Sequence, residues 1–142
     1  MKKEKKIVIA THGELAKGFV SALNIITGNT DKIETICGYL TPDFNLADEI
    51  ENIMKDTNFE TTDLIVCTDM MGGSVNNEFI KFLPRYPFHL ITNINLTFMV
   101  DLLLTQGEIT ADVLDVKVSD GMASVKYVNN LINQYGGLDD NL

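Results

Sequence analysis

Ile7-Val8-Ile9-Ala10-Thr11-His12-Gly13-Glu14 is an apolar, mostly β-branched run that breaks abruptly into polar residues and a glycine. Its apolar part does not alternate. A strand buried on both faces reads this way, whereas a half-buried strand alternates. Three further runs of the same kind follow: Ile33 to Tyr39, Leu64-Ile65-Val66-Cys67 and Phe88-His89-Leu90-Ile91-Thr92. Of these, the last two also lack alternation.

Helix-period stretches lie between the runs. Leu15, Phe19, Leu23 and Ile26 recur at i, i+4, i+8 and i+11, with Gly28 as a stop. Phe44, Ala47, Ile50, Ile53 and Met54 form a second stripe, opened by Thr41-Pro42-Asp43. Phe79, Ile80, Phe82 and Leu83 form a third, ending at Pro84, and Leu96, Met99, Val100, Leu103 and Leu104 a fourth. The order βαβαβαβα predicts a doubly wound α/β sandwich of three layers, with a mostly parallel sheet and right-handed crossovers. Toward the end, Ile109, Val113, Val116 and Asp120 fit a helix in part. After Gly121, Ala123 to Val128 alternates like an edge strand.

The 142 residues suit one domain spanning 1–142, with solvated tails expected at 1–5 and 136–142. The net charge of −9 argues against nucleic acid, which needs clustered Lys and Arg, and against anionic membranes. Cys37 and Cys67 sit inside apolar runs and read as small hydrophobes rather than a disulfide. The basic start mimics a signal peptide, but four apolar residues are too few for one. Leu96 to Leu104 is interrupted by Asp101 and cannot span a bilayer. A cytoplasmic protein without direct membrane insertion is expected.

In open α/β sheets, ligands bind at the carboxyl ends of strands, where the strand order reverses. The first strand ends in Thr11-His12-Gly13. The third ends in Thr68-Asp69-Met70-Met71-Gly72-Gly73-Ser74. In a sheet of order 2-1-3-4 these strands are neighbours, so His12 and Asp69 fall side by side. A carboxylate accepting from one imidazole nitrogen fixes the tautomer and leaves the other nitrogen a free lone pair. That nitrogen can act as base, metal ligand or nucleophile. Gly72-Gly73 lets backbone approach closely, and Ser74 adds a hydroxyl at a helix start. A nucleophilic histidine facing such a loop points to phosphoryl transfer.

Each residue also has a plainer reading. A histidine after a strand is more often a turn residue, and Asp69 could be an ordinary loop carboxylate. Gly-Gly-Ser is common in loop-to-helix turns. Met70 and Met71 fit either core filling or an exposed contact surface. His89, inside the fourth strand run, reads as structural. Two distant histidines without a ligand cluster argue against a metal, and the dinucleotide fingerprint and P-loop are missing, so no cofactor is expected. A receiver domain would want acidic residues where Thr11-His12-Gly13 stands.

Ala10-Thr11-His12-Gly13 and Thr68-Asp69-Met70-Met71-Gly72-Gly73-Ser74, each at a strand end, resemble the IIA domain of the mannose/fructose/sorbose family of the sugar phosphotransferase system. The resemblance spans about residues 5–130. It implies that His12 is the phosphoryl acceptor and that Asp69 orients it. It implies that Gly13, Gly72, Gly73 and Ser74 surround the phosphoryl group. The implied donor is the phosphocarrier protein HPr, and the implied acceptor is a IIB component beside a membrane IIC/IID complex. Docking through Met70 and Met71 is a further expectation. The family fold implies a sheet of order 2-1-3-4 with an additional antiparallel edge strand exchanged in a homodimer, a place for Ala123 to Val128. Where the family often has Pro after Gly-Gly-Ser, this chain has Val75, which removes a pre-set φ without blocking chemistry. Two alternatives stay open: a regulatory phospho-acceptor domain, and the branch serving dihydroxyacetone kinase. That branch resembles Ser-His-Ser after the first strand, unlike Thr11-His12-Gly13.

Overall fold

The computed structural model of the chain describes residues 2–134. Four strands, β1 (Glu4–His12), β2 (Ile33–Gly38), β3 (Thr62–Thr68) and β4 (His89–Ile91), form one all-parallel sheet in the order β2-β1-β3-β4. Helices α1 (Leu15–Thr27), α2 (Leu46–Asp56), α3 (Ser74–Ile80), α4 (Leu96–Leu104) and α5 (Ala111–Ser119) complete the main body. The doubly wound α/β architecture expected from the chain order is the one observed.

Missing alternation in β1 and β3 has a direct cause. Val8 and Ala10 of β1 join Leu64 and Val66 of β3 in a core closed by α2 and α3. Ile7 and Ile9 join Ile65 and Cys67 in a second core on the opposite face, closed by α1, α4 and Leu114 of α5. All eight strand residues are fully buried, so both faces of each strand had to be apolar. Cys67 belongs to this interior, and burial pushes its thiol up to about 12, which keeps it an inert thiol.

Local signals account for most helix ends. Gly28 takes the left-handed conformation (φ 63°) after α1, and its N–H returns to the Asn24 carbonyl. Asn45 caps α2 by accepting from the Asp48 N–H, so the helix starts after the Thr41-Pro42-Asp43 turn rather than within it. Asn95 and Thr110 cap α4 and α5 in the same manner.

Some expectations need correction. The third stripe is shorter as a helix than its apolar spacing suggests: α3 stops at Ile80, and tight turns carry Phe82 into the core before Pro84. The solvated tail is shorter than residues 1–5. Glu4 and Lys5 already pair with β3, and the Lys5 ammonium donates to the carbonyls of Leu102 (2.9 Å), Leu103 and Thr105 (both 3.1 Å) at the end of α4. There it adds a cation to the carbonyl end of α4, where the Leu102 carbonyl also accepts from the Thr105 N–H. Ala123 to Val128 pairs with no strand among the described residues. Gly121–Ala123 is a 3-10 turn capped by Asp120, and Val128–Gln134 is a helix, α6. Val125 is 98% exposed, so the alternation in this stretch has no partner edge within the described chain. The tail expected over 136–142 lies outside the described residues. No described helix is long and apolar enough to cross a membrane.

Candidate active site

Both candidate residues arrive at one edge of the sheet because β1 and β3 run in parallel register, with Ala10 opposite Thr68. Two turns then hold them. After β1, the buried Thr11 hydroxyl accepts from the Ala16 N–H at 2.8 Å, which anchors the start of α1 where Glu14 offers no side-chain cap. Gly13 (φ 58°) makes the reversal between them, and its N–H donates to the Gly38 carbonyl at 2.9 Å. His12 is thereby pinned between two committed backbone groups.

After β3, a buried polar cluster holds the second loop. The Thr68 hydroxyl donates to Asn76 Oδ1 of α3 (2.8 Å) and lies 2.8 Å from the Thr92 hydroxyl after β4. Asn93, itself in the left-handed region (φ 57°), accepts from the Met71 N–H at 2.8 Å. Asn77 donates to the Gly72 carbonyl at 3.3 Å. The loop from Asp69 to Ser74 is thus tied to α3 and to the chain beyond β4.

At the centre, one carboxylate oxygen of Asp69 accepts twice from His12, from the backbone N–H and from ring Nδ1, each at 2.9 Å. Burial pushes the Asp69 carboxyl up, but these hydrogen bonds and the electrostatic attraction of the His12 side chain outweigh it and hold the group below the usual carboxylate range. An ionised carboxylate can only accept, so Nδ1 carries a proton, and in the neutral ring Nε2 presents the lone pair. Asp69 has 11% of its side chain exposed and His12 42%. The anchor is interior and the imidazole is partly exposed. Ser74 Oγ lies 3.4 Å from Nε2.

Gly73 has an ordinary extended conformation but no room for a side chain. A Cβ there would lie 2.9 Å from Met70 Cγ and 3.2 Å from His12 Cε1. Its N–H is donated to the Met70 carbonyl, as that of Gly13 is to Gly38, so neither amide is open to a ligand. Gly72 (φ 77°) shapes the turn. Met70 and Met71 are both more than half exposed beside the histidine. His89 sits opposite Ile65, five residues below the level of His12, and belongs to a different end of the sheet. The strand ends that carry His12 and Asp69 do not include Tyr39, which also joins the site. It stands just past β2, its hydroxyl donates to Ser74 Oγ at 2.9 Å, and its ring centroid lies 5.7 Å from that of His12. The same rule applied to the second strand finds it.

A two-layered helical cover over a parallel sheet, with a histidine–carboxylate pair at the reversal of strand order, defines a class of site suited to nucleophilic chemistry. Comparison narrows the class. The profile of the PTS system fructose IIA component family matches residues 6–117. A putative phosphoenolpyruvate-dependent sugar phosphotransferase system permease from Klebsiella pneumoniae is 31% identical, with TM-score 0.84 over 93% of this chain and 96% of that one. The PTS IIA protein associated with the fucose utilization operon of Streptococcus pneumoniae is 26% identical, with TM-score 0.72, 93% of this chain and 98% of that chain covered. The mannose/sorbose specific IIA subunit from Enterococcus faecalis shares the fold at 16% identity, with TM-score 0.76 over 87% and 94%. A search of curated proteins returns no significant match. The chain belongs to the fructose/mannose IIA family of the sugar phosphotransferase system and is a phosphotransfer subunit.

Proposed function

We propose that His12 accepts a phosphoryl group from phospho-HPr and passes it to a IIB component of a sugar-uptake system. One observation carries this reading. Asp69 engages Nδ1 from the interior and leaves Nε2 of a partly exposed ring beside a serine hydroxyl. In the step, the Nε2 lone pair forms a bond to phosphorus as the donor's bond to phosphorus breaks, the donor nitrogen keeping that electron pair. The Nδ1 proton stays on the ring, so the phosphorylated imidazole becomes cationic, and Asp69 balances the charge. Ser74 and the first-turn amides of α3 are the groups placed to meet the phosphoryl oxygens. The exposed side chains of Met70, Met71 and Leu40, on the loops that carry the site, support an apolar docking face for both protein partners.

The test is incubation with labelled phosphoenolpyruvate, the general phosphotransfer enzyme and HPr. Label that is acid-labile and base-stable, maps to His12 and moves on to a IIB protein is the expected result. Label that is absent, or on another residue, overturns the reading.

A homodimer belongs to the same proposal. β4 is an edge strand of three residues, and a groove of about 420 Å³ beside it is lined by Phe88 to Thr92 and by Leu114 and Val118. Val125 and Tyr127 stand exposed without partners among the described residues. An extended segment from a second copy, paired along β4, would cover the open edge. Light scattering at the dimer mass is expected; a stable monomer removes strand exchange.

A further inference from the structure

Tyr39 occupies a backbone conformation that its own chemistry does not favour. Its φ is 66°, in the left-handed region where residues other than Gly, Asn and Asp are uncommon. Burial does not explain the cost, because the side chain remains half exposed. Such outliers persist only where surrounding contacts over-determine them. Here the contacts fix the backbone and the ring, and through them the place of the hydroxyl. The preceding Gly38 passes so near the end of β1 that a Cβ would lie 3.1 Å from the Thr11 carbonyl oxygen. The Tyr39 ring packs edge-on against Phe44 (5.6 Å, 72°) and lies tilted beside His12 (5.7 Å, 37°). Held this way, Oη reaches Ser74 Oγ at 2.9 Å.

The direction of the hydrogen bonds follows from the tautomer. Nε2 holds a lone pair, so only the serine's own proton can meet it. Ser74 has one proton, and Oγ is free to aim it at Nε2 when it accepts from Tyr39 instead of donating to it. The chain then runs from Tyr39 Oη–H to Ser74 Oγ–H to His12 Nε2, and each donation strengthens the next. The 3.4 Å of the last contact leaves the serine proton weakly held, ready to turn to a phosphoryl oxygen as phosphorus reaches Nε2.

The geometry points to Tyr39 as a positioning residue for phosphoryl transfer: its hydroxyl sets the Ser74 rotor so that the serine proton meets the phosphoryl group at Nε2. This rests on the reading of His12 as acceptor. Neither the tyrosine nor the serine proton is transferred. The P–N bond forms with the Nε2 pair, and the donor keeps the pair of the bond that breaks.

The experiment compares wild type, Tyr39→Phe, Ser74→Ala and the double variant in the full chain. Phe keeps the ring, its packing on Phe44 and the backbone, so only the hydroxyl is lost. Phosphoryl uptake from phospho-HPr should fall about 5–10-fold in Tyr39→Phe, the order expected for one hydrogen bond acting on a charged group. In the Ser74→Ala background the same change should alter the rate less than about twofold, because nothing remains to orient. Ring nitrogen-15 NMR of the unphosphorylated proteins supplies a second readout. The Nε2 resonance in Tyr39→Phe should move toward its position in Ser74→Ala. An unmoved resonance, a wild-type rate in Tyr39→Phe, or a loss that persists undiminished without Ser74 each overturns the proposal. If wild type takes no label, the acceptor reading itself falls, and the NMR comparison still decides the hydrogen-bonded chain.

Discussion

Asp69→Asn is expected to slow phosphoryl uptake by His12 about 10²–10³-fold, the scale of losing one preorganised electrostatic partner of a reacting group. The carboxylate does two things that an amide cannot do together. One oxygen accepts from both the N–H and Nδ1 of His12, and in the proposed transfer its charge would oppose the positive ring formed as Nε2 bonds phosphorus. The other oxygen is buried with no hydrogen-bond partner among the described residues. An asparagine that keeps its oxygen toward His12 must place its amide nitrogen in that partnerless position. That buries donors without acceptors, at about 1–3 kcal/mol. An asparagine flipped the other way meets Nδ1–H with an N–H, and the ring must change tautomer and lose its Nε2 lone pair. Either orientation removes the charge. Rapid-quench labelling reads the rate, and thermal unfolding reads the stability.

The same pair predicts an acid response. The Asp69 carboxyl is held below its ordinary value in the folded chain. Its stabilising effect is therefore fully present above the unfolded value near 3.9 and fades as pH falls through the lower folded value. The stability gap between wild type and Asp69→Asn should narrow steadily as pH drops below about 4. A gap that stays constant there would show that the carboxylate is not ionised by its contacts with His12.

His12 and Asp69 were legible because their placement depends on two robust signals. Runs apolar on both faces identify β1 and β3, and the strand-end rule needs only their order, not their exact lengths. Tyr39 was less visible for a physical reason. Its role depends on a positive φ and on a hydroxyl bonded to a residue 35 positions away, and neither leaves a periodic trace. The cluster of Thr68, Asn76 and Thr92 behind the loop is hidden in the same way, since hydrophobic periodicity is blind to buried polar pairs. Ala123 to Val128 shows the opposite failure. Alternation reports which side chains want a dry face but not what supplies it, and none of the described residues does.

Gly72 and Gly73 adjoin in sequence, yet replacing each with alanine should fail differently. At Gly72 the backbone is left-handed (φ 77°) with open space around the would-be Cβ. Gly72→Ala should therefore cost about 1–2 kcal/mol of stability through backbone strain, with phosphoryl uptake close to wild type. At Gly73 the backbone (φ −76°, ψ 157°) already suits alanine, so no conformational penalty arises. The obstruction is steric and lies partly on the side chain proposed as phosphoryl acceptor. Met70 is half exposed and its Cγ can swing away, but the Met70 carbonyl oxygen at 3.3 Å cannot move without the turn, nor His12 Cε1 at 3.2 Å without the imidazole. The ring has little freedom, held by Asp69 through Nδ1 and flanked by Tyr39. A shift of even part of an ångström turns Nε2 out of line with the donor, and misplacement on that scale costs about 10–100-fold in rate. Gly73→Ala should thus unfold at nearly the wild-type temperature while taking up phosphoryl groups that much more slowly. Equal rates for the two variants would mean that the loop, rather than the imidazole, gives way, and that the close approach at Gly73 is packing without consequence for His12.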